Sequence, residues 1–189
     1  MIDFSKRTVD IPNMDKINTI IPKGIGVFDV EGKRLAKLAV GRKVIVEIGA
    51  HRGRSTAFMA SGLRYSNTDG MIYSVDHWLE GQHLDAYNSG LERLQLNHHT
   101  TPIRGASEDI VKTWDKPIDF LFIDGNHSYF HVKQDYRLWS PFVVKGGLIA
   151  FHDYGNPGWE GVRRFVDTIP DSDLHCIGVH HSLWSGVKS

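Results

Sequence analysis

From about residue 30 to the end of the chain, short β-branched apolar runs alternate with helical periodicities, and this alternation limits the fold more than any other feature. Strands separated by helices do not fold back as hairpins; they lie parallel in one sheet with helices on its faces. "DVEGKRLAKLAVG" reads as the first helix of this series, with Asp29 its candidate cap and Gly41 its stop. Strands are expected at Val44–Ile48, at "MIYSVD" ending in Asp76, at "TPIRG", at "IDFLFID" and at "GLIAFHD". Helices are expected at "STAFMASGLR", through Leu84, Tyr87, Leu91 and Leu94, at "YFHVKQDYRLW" and at "EGVRRFVDTI". The C-terminal stretch "LHCIGVHHSLWSGV" differs, because two β-like runs flank His181-Ser182 with only a tight turn between them, so they pair antiparallel. The expected fold is doubly wound α/β: a mostly parallel seven-stranded sheet closed by an antiparallel hairpin.

The turn after the first strand lies in "VEIGAHRGRS". A strand-to-helix turn points backbone N–H groups and the positive end of a helix dipole at whatever sits above it. A dinucleotide fingerprint spaces its glycines G-x-G-x-x-G; here Gly49 and Gly53 are four apart, and Glu47 stands two residues before them. A carboxylate there would repel a pyrophosphate. It would suit a ligand with an amino group whose carboxylate meets the loop, as in S-adenosylmethionine. The plain alternative is a glycine turn that only joins strand to helix.

At 189 residues the chain suffices for one domain with a sizeable core. Lys plus Arg equals Asp plus Glu at 22 each and no basic run stands out, so the electrostatic footprint of a nucleic-acid binder is missing and a small-molecule substrate is favoured. No apolar run is long enough to span a bilayer, and "MIDFSKRTVD" lacks the apolar centre of a signal peptide. The lone cysteine, Cys176, lies in an apolar stretch and reads as core filler, which fits a reducing cytoplasm. Oligomeric state is not legible, and a homo-oligomer is compatible with the pattern.

The ends of the first, second and fourth strands should converge, since open α/β sheets bind ligands beyond the carboxyl ends of their strands. With its reversed last strand, the pattern over residues 29–189 resembles the class I S-adenosylmethionine-dependent methyltransferases. Residues 1–28 carry no usable periodicity; in that family such pieces often cap the substrate pocket, so they are read as an N-terminal extension and lid. The resemblance implies that Glu47, Gly49, Ala50, His51, Gly53 and Ser55, matching E-x-G-x-x-x-G-x-S, wrap the methionine part of the cofactor. It implies that Asp76 accepts hydrogen bonds from both ribose hydroxyls, and that Ala106 and Ser107 of "GASED" contact adenine. Structurally, Asp76 could instead be a turn residue and Ser107 a helix cap helped by Glu108 and Asp109. A Rossmann-type NAD(P)-dependent oxidoreductase is the rival enzyme reading, but its glycine spacing is missing. Tyr129 and Lys133 lie in a helix too close to the fourth strand to serve as a Tyr-x-x-x-Lys pair.

The fourth and fifth strands end in acid and histidine, Asp124 with His127 and His152 with Asp153. Carboxylates and an imidazole around one point suit Mg²⁺, Mn²⁺ or a similar divalent cation, which could bind and acidify a substrate hydroxyl. The D-G-x-H-x-Y and H-D-Y elements resemble the metal-assisted small-molecule O-methyltransferases of the macrocin and cephalosporin-biosynthetic branch. That likeness implies Asp124, His152 and Asp153 as metal ligands and His127 as the base that takes the hydroxyl proton. His152-Asp153 departs from the Glu-Asp or Asp-Asn usual in those relatives, and imidazole favours transition ions over Mg²⁺. The alternatives are ordinary strand-end caps or a catalytically inactive methyltransferase-like binding domain. Trp78, Tyr154, Trp159 and Trp184 are candidates to line a substrate pocket, and "HWLEGQHLDAYNSG" reads as a mobile flap.

Overall fold

The computed structural model describes residues 14–21 and 26–189. A short α1 (Met14–Ile20) precedes α2 (Asp29–Ala39), β1 (Val44–Ile48), α3 (Arg54–Tyr65), β2 (Met71–Asp76), α4 (Gly81–Arg93), β3 (Thr100–Arg104) and α5 (Ser107–Ile110). Then follow β4 (Ile118–Ile123), α6 (Tyr129–Trp139), β5 (Val143–Phe151), α7 (Glu160–Val166), β6 (Leu174–His180) and β7 (Leu183–Lys188). The sheet has seven strands in the order β3-β2-β1-β4-β5-β7-β6. The first five pair in parallel, with Ile48 opposite Val75 and Ile123. β7 runs antiparallel to both β5 and β6. The expected architecture is therefore the observed one.

Side chains alternate across each strand, so the sheet divides the interior into two cores. Ile45, Phe120 and Leu148 pack with Leu35, Phe58 and Tyr87 on one face. Val46, Leu121 and Ile149 pack with Trp139 and Phe165 on the other. The chain reverses direction in strand order at β1 and β4, where Gly49 has φ +87° and an added Cβ would lie 2.1 Å from the Asp124 carbonyl oxygen. Only glycine permits that close approach, which brings the two strand ends together.

Several expectations are corrected in detail. Asp29 does not cap α2: Phe28 is the cap, its N–H donating to Glu31 Oε2 at 2.7 Å, while Asp29 pairs with Arg54 Nη2 at 2.7 Å. Cys176 is exposed on β6, the sheet edge, rather than filling core. Of the expected lid, residues 1–13 and 22–25 lie outside the described residues. The part that is described, around α1, is docked on the domain. Ile17 is fully buried, and the Arg54 guanidinium donates to Ile21 O, Val27 O and Asn18 Oδ1. Among the described residues no helix is long and apolar enough to cross a membrane.

Candidate active site

A cavity of about 570 Å³ opens beyond the carboxyl ends of β1, β2, β4 and β5. Its apolar floor is Ile48 and Val75, the last inward side chains of β1 and β2. Gly49, His51, Asp76, Ser107, Asp124, His127, His152 and Asp153 all line it, so most of the residues singled out in the sequence meet here. Ala50, Gly53, Ser55 and Ala106 are not on its wall. The turns are tight: His51, Trp78 and Asp153 have φ of 47°, 42° and 58°, left-handed conformations that non-glycine residues adopt only when their surroundings hold them.

Glu47 is on the opposite face of β1 from the cavity. It is fully buried, and Ser55 Oγ, Thr56 Oγ1 (2.5 Å) and Ser74 Oγ (2.7 Å) all donate to it. Burial raises its carboxyl to about 7 against the pull of those hydroxyls. Glu47 and Ser55 thus brace the turn between β1 and α3 from within. Asp76 combines bracing with exposure to the cavity, because the backbone N–H groups of His51 and Trp78 each donate to it at 2.8 Å. A carboxylate has about four lone-pair positions, so two remain for a ligand.

The acid-histidine cluster is denser than its sequence suggests. His152 is buried, with Nδ1 3.0 Å from Asp124 Oδ1 and 3.2 Å from Asp153 Oδ2. Its Nε2 faces Glu31 Oε2 at 3.1 Å. Burial disfavours the charged imidazole, but carboxylates on both sides hold its pKa far above the ordinary value. His127 Nε2 lies 2.8 Å from Asp153 Oδ2 and 3.8 Å from Asp124 Oδ1. Burial would lower His127, yet Asp124 and Asp153 outweigh it and raise the imidazole to about 9. The same two histidines overcome burial to hold Asp153 well below the usual carboxylate range.

Glu31 was not singled out in the sequence, yet it anchors this cluster. It is fully buried, accepts from Ser182 N (2.9 Å) and Ser182 Oγ (2.6 Å), and so joins α2, the β6–β7 turn and His152. Burial raises a lone carboxyl, but here the hydrogen bonds from His152 and Ser182 win and its pKa falls. The only sequence signal was an acid set beside apolar positions on a buried helix face. Asp135, Glu108, His77 and His131 also line the cavity unforeseen. Of the four candidate aromatics only Trp159 does so, its ring stacked on His127 at 4.3 Å. Trp78 and Trp184 are buried, and the Tyr154 hydroxyl donates to Asp167.

One oxygen each from Asp124 and Asp153 and one nitrogen of His152 lie within 4.8 Å of one another, a set that could hold a metal ion. The donor chemistry fits a divalent cation: with Nε2–H donated to Glu31, the imidazole presents Nδ1 to the same point as the carboxylates. An outer carboxylate commonly orients a ligating histidine in this way.

A family model described as a methyltransferase domain matches residues 46–154. The chain belongs to that family, and its sheet order is that of the class I methyltransferases. Among solved structures, the O-methyltransferase from Bacillus cereus in complex with SAH superposes with a TM-score of 0.73 at 21% identity, covering 95% of this chain and 94% of that one. The O-methyltransferase TomG from Streptomyces achromogenes, involved in tomaymycin synthesis and in complex with SAM, gives 0.73 at 20% identity, over 94% and 90%. Uncharacterized protein R132 of Acanthamoeba polyphaga mimivirus is 31% identical over 119 residues, 60% of this chain and 52% of its own length. Uncharacterized protein y4gI of Sinorhizobium fredii is 26% identical over 116 residues, 58% of this chain and 13% of its own length. The chain thus aligns with about half or less of these relatives.

Proposed function

We propose that this chain binds S-adenosylmethionine in the cavity and transfers its methyl group to a hydroxyl oxygen of a small molecule, with a divalent cation held by Asp124, His152 and Asp153. The observation that carries the reading is that one cavity joins Asp76 and the Gly49 turn to the acid-histidine cluster. The two structural neighbours named above, both O-methyltransferases, add support.

Asp76 takes the ribose hydroxyls with its remaining lone pairs. Glu47 cannot meet the ammonium, since three hydroxyls enclose it on the other face of β1. Asp124 supplies that counter-charge instead. S-adenosylmethionine supplies a sulfonium-bound methyl group already activated for transfer. A divalent cation supplies positive charge that acidifies and positions an acceptor hydroxyl. Asp124, His152 and Asp153 fix where that charge sits, and Glu31 fixes the orientation of His152. His127 takes the hydroxyl proton at Nε2 while the oxygen gains the methyl group, and Trp159 covers one face of its imidazole.

Isothermal titration with S-adenosylmethionine and NAD⁺ in parallel, followed by mass spectrometry against polyol and phenol acceptors with Mg²⁺ or Mn²⁺, tests the reading. S-adenosylmethionine should bind and a 14-dalton gain should appear on an acceptor. Binding of NAD⁺ alone would overturn it. Cofactor binding without turnover on any hydroxyl would make this a non-catalytic binding domain.

A further inference from the structure

Where α5 and α6 meet the cavity wall, three side chains form a one-way hydrogen-bond relay. Trp139, fully buried, donates from Nε1 to Ser107 Oγ at 2.9 Å, and Ser107 Oγ donates in turn to Asp135 Oδ1 at 2.6 Å. An indole N–H is only a donor, so the direction is fixed: Ser107 accepts from Trp139 and has its single proton committed to Asp135. Ser107 is therefore neither the cap of α5, where Ala106 holds that position, nor free to donate its proton to a ligand. Asp135 Oδ2 is the outward group. It would lie 3.5 Å from a Cβ placed on Gly125, at the mouth of β4, on the cavity wall beside Ile48 and Ser107. Burial leaves Asp135 only 7% exposed, so this oxygen is aimed rather than solvated.

From these contacts we infer that Asp135 reads the exocyclic amine of adenine and makes the pocket specific for an aminopurine. The inference rests on the cofactor assignment above. With the ribose on Asp76 and the sulfur toward Asp124, the base reaches past Val75 toward α5 and α6, where Oδ2 is a pure acceptor. Adenine offers an N–H there. Hypoxanthine offers a carbonyl oxygen, which would face a carboxylate and leave both acceptors unpaired.

The relay makes a sharp prediction for Asp135→Asn. Because Ser107 must still donate to Oδ1, the amide turns its Nδ2–H₂ toward the cavity, converting an acceptor into a donor. The test is titration of the full chain with S-adenosylhomocysteine and S-inosylhomocysteine at pH 8. There Asp135, raised by burial to about 6 against Ser107 and with Glu108, His131 and His77 around it, is ionised. Wild type should prefer the adenosyl ligand by about 10- to 100-fold, and Asp135→Asn should abolish or invert that preference. The double variant Ser107→Ala, Asp135→Asn frees the amide to flip, and its ratio should return toward unity. Equal binding of both ligands by wild type, or an unchanged ratio in Asp135→Asn, overturns the inference while leaving the cofactor assignment standing. Failure of wild type to bind S-adenosylhomocysteine overturns both.

Discussion

His127 shows how a residue's role depends on what its neighbours are doing. With Asp124 and Asp153 directed at it and no cation between them, the imidazole is held at about 9, so its service as a base depends on that hold being relieved. Positive charge placed between those two carboxylates removes the cause of the shift, and the imidazole returns toward its ordinary range. The acidic limb of the pH-rate profile should therefore sit near 9 at low divalent cation and move to lower pH as the cation is raised. His127→Ala should remove that limb and lower kcat by about 10²- to 10⁴-fold, with S-adenosylhomocysteine affinity nearly intact. A limb that ignores the cation would mean that another group titrates. Glu47 teaches the complementary lesson. Its motif was legible, but a strand turns successive side chains to opposite faces, and Ile48 already occupies the cavity side. Glu31 and Asp135 were illegible because their partners, His152 and Ser107, are 121 and 28 residues away and meet only when the sheet assembles.

Among the elements, the strands and the hairpin were readable because β-branched runs bounded by glycine and acid leave few alternatives. α1 was not, because its signal is only Ile17 and Ile21 at helical spacing, and its attachment runs through Arg54 of the glycine turn. The stretch running from the end of β2 into α4 divides into two parts. Trp78 is buried with its indole donating to the His51 carbonyl at 2.7 Å, and Tyr87 is buried with its hydroxyl donating to Ser74. Between these anchors Leu79 is 86% exposed, a large apolar side chain with little to hold it. The expected flap is thus narrowed to residues 79–83, the link before α4 and its first turn. Amides of residues 79–83 should gain protection from hydrogen exchange when S-adenosylhomocysteine is added, and those of residues 84–90 should change little. Uniform protection over the whole stretch would show that Trp78 and Tyr87 are not fixed beforehand.

At the scale of the whole molecule, the ionisable groups buried on either face of the sheet set the pH at which the fold is most stable. Glu47 stands at about 7 against an ordinary 4.5, and His127 at about 9 against 6.5. Both folded-state values are raised, so each contribution is full below the lower figure and is lost as pH rises through the higher one. Glu31 is lowered, to about 2, so its contribution is full above 4.5 and lost as pH falls toward 2. Stability without divalent cation should accordingly be greatest near pH 4.5 and decline on the alkaline side, first as Asp135, raised from 3.8 to about 6, and Glu47 ionise, and later as His127 loses its proton. Glu47 and Asp135 share the early loss. For Glu47, the rise from 4.5 to about 7 corresponds to roughly 3 kcal/mol. Glu47→Gln keeps the size of the side chain and can still accept from Ser55, Thr56 or Ser74, but it cannot ionise. Urea unfolding from pH 4.5 to 9 should therefore show the variant with a shallower decline below pH 7, the remainder belonging to Asp135, while the later decline caused by His127 is retained. The comparison rests on the slope with pH rather than on absolute stability, since the amide alters the hydroxyl cage at every pH. A variant that tracks wild type across the whole range would show that the Glu47 carboxyl is already ionised at pH 5, and that the hydroxyls enclosing it outweigh the cost of its burial.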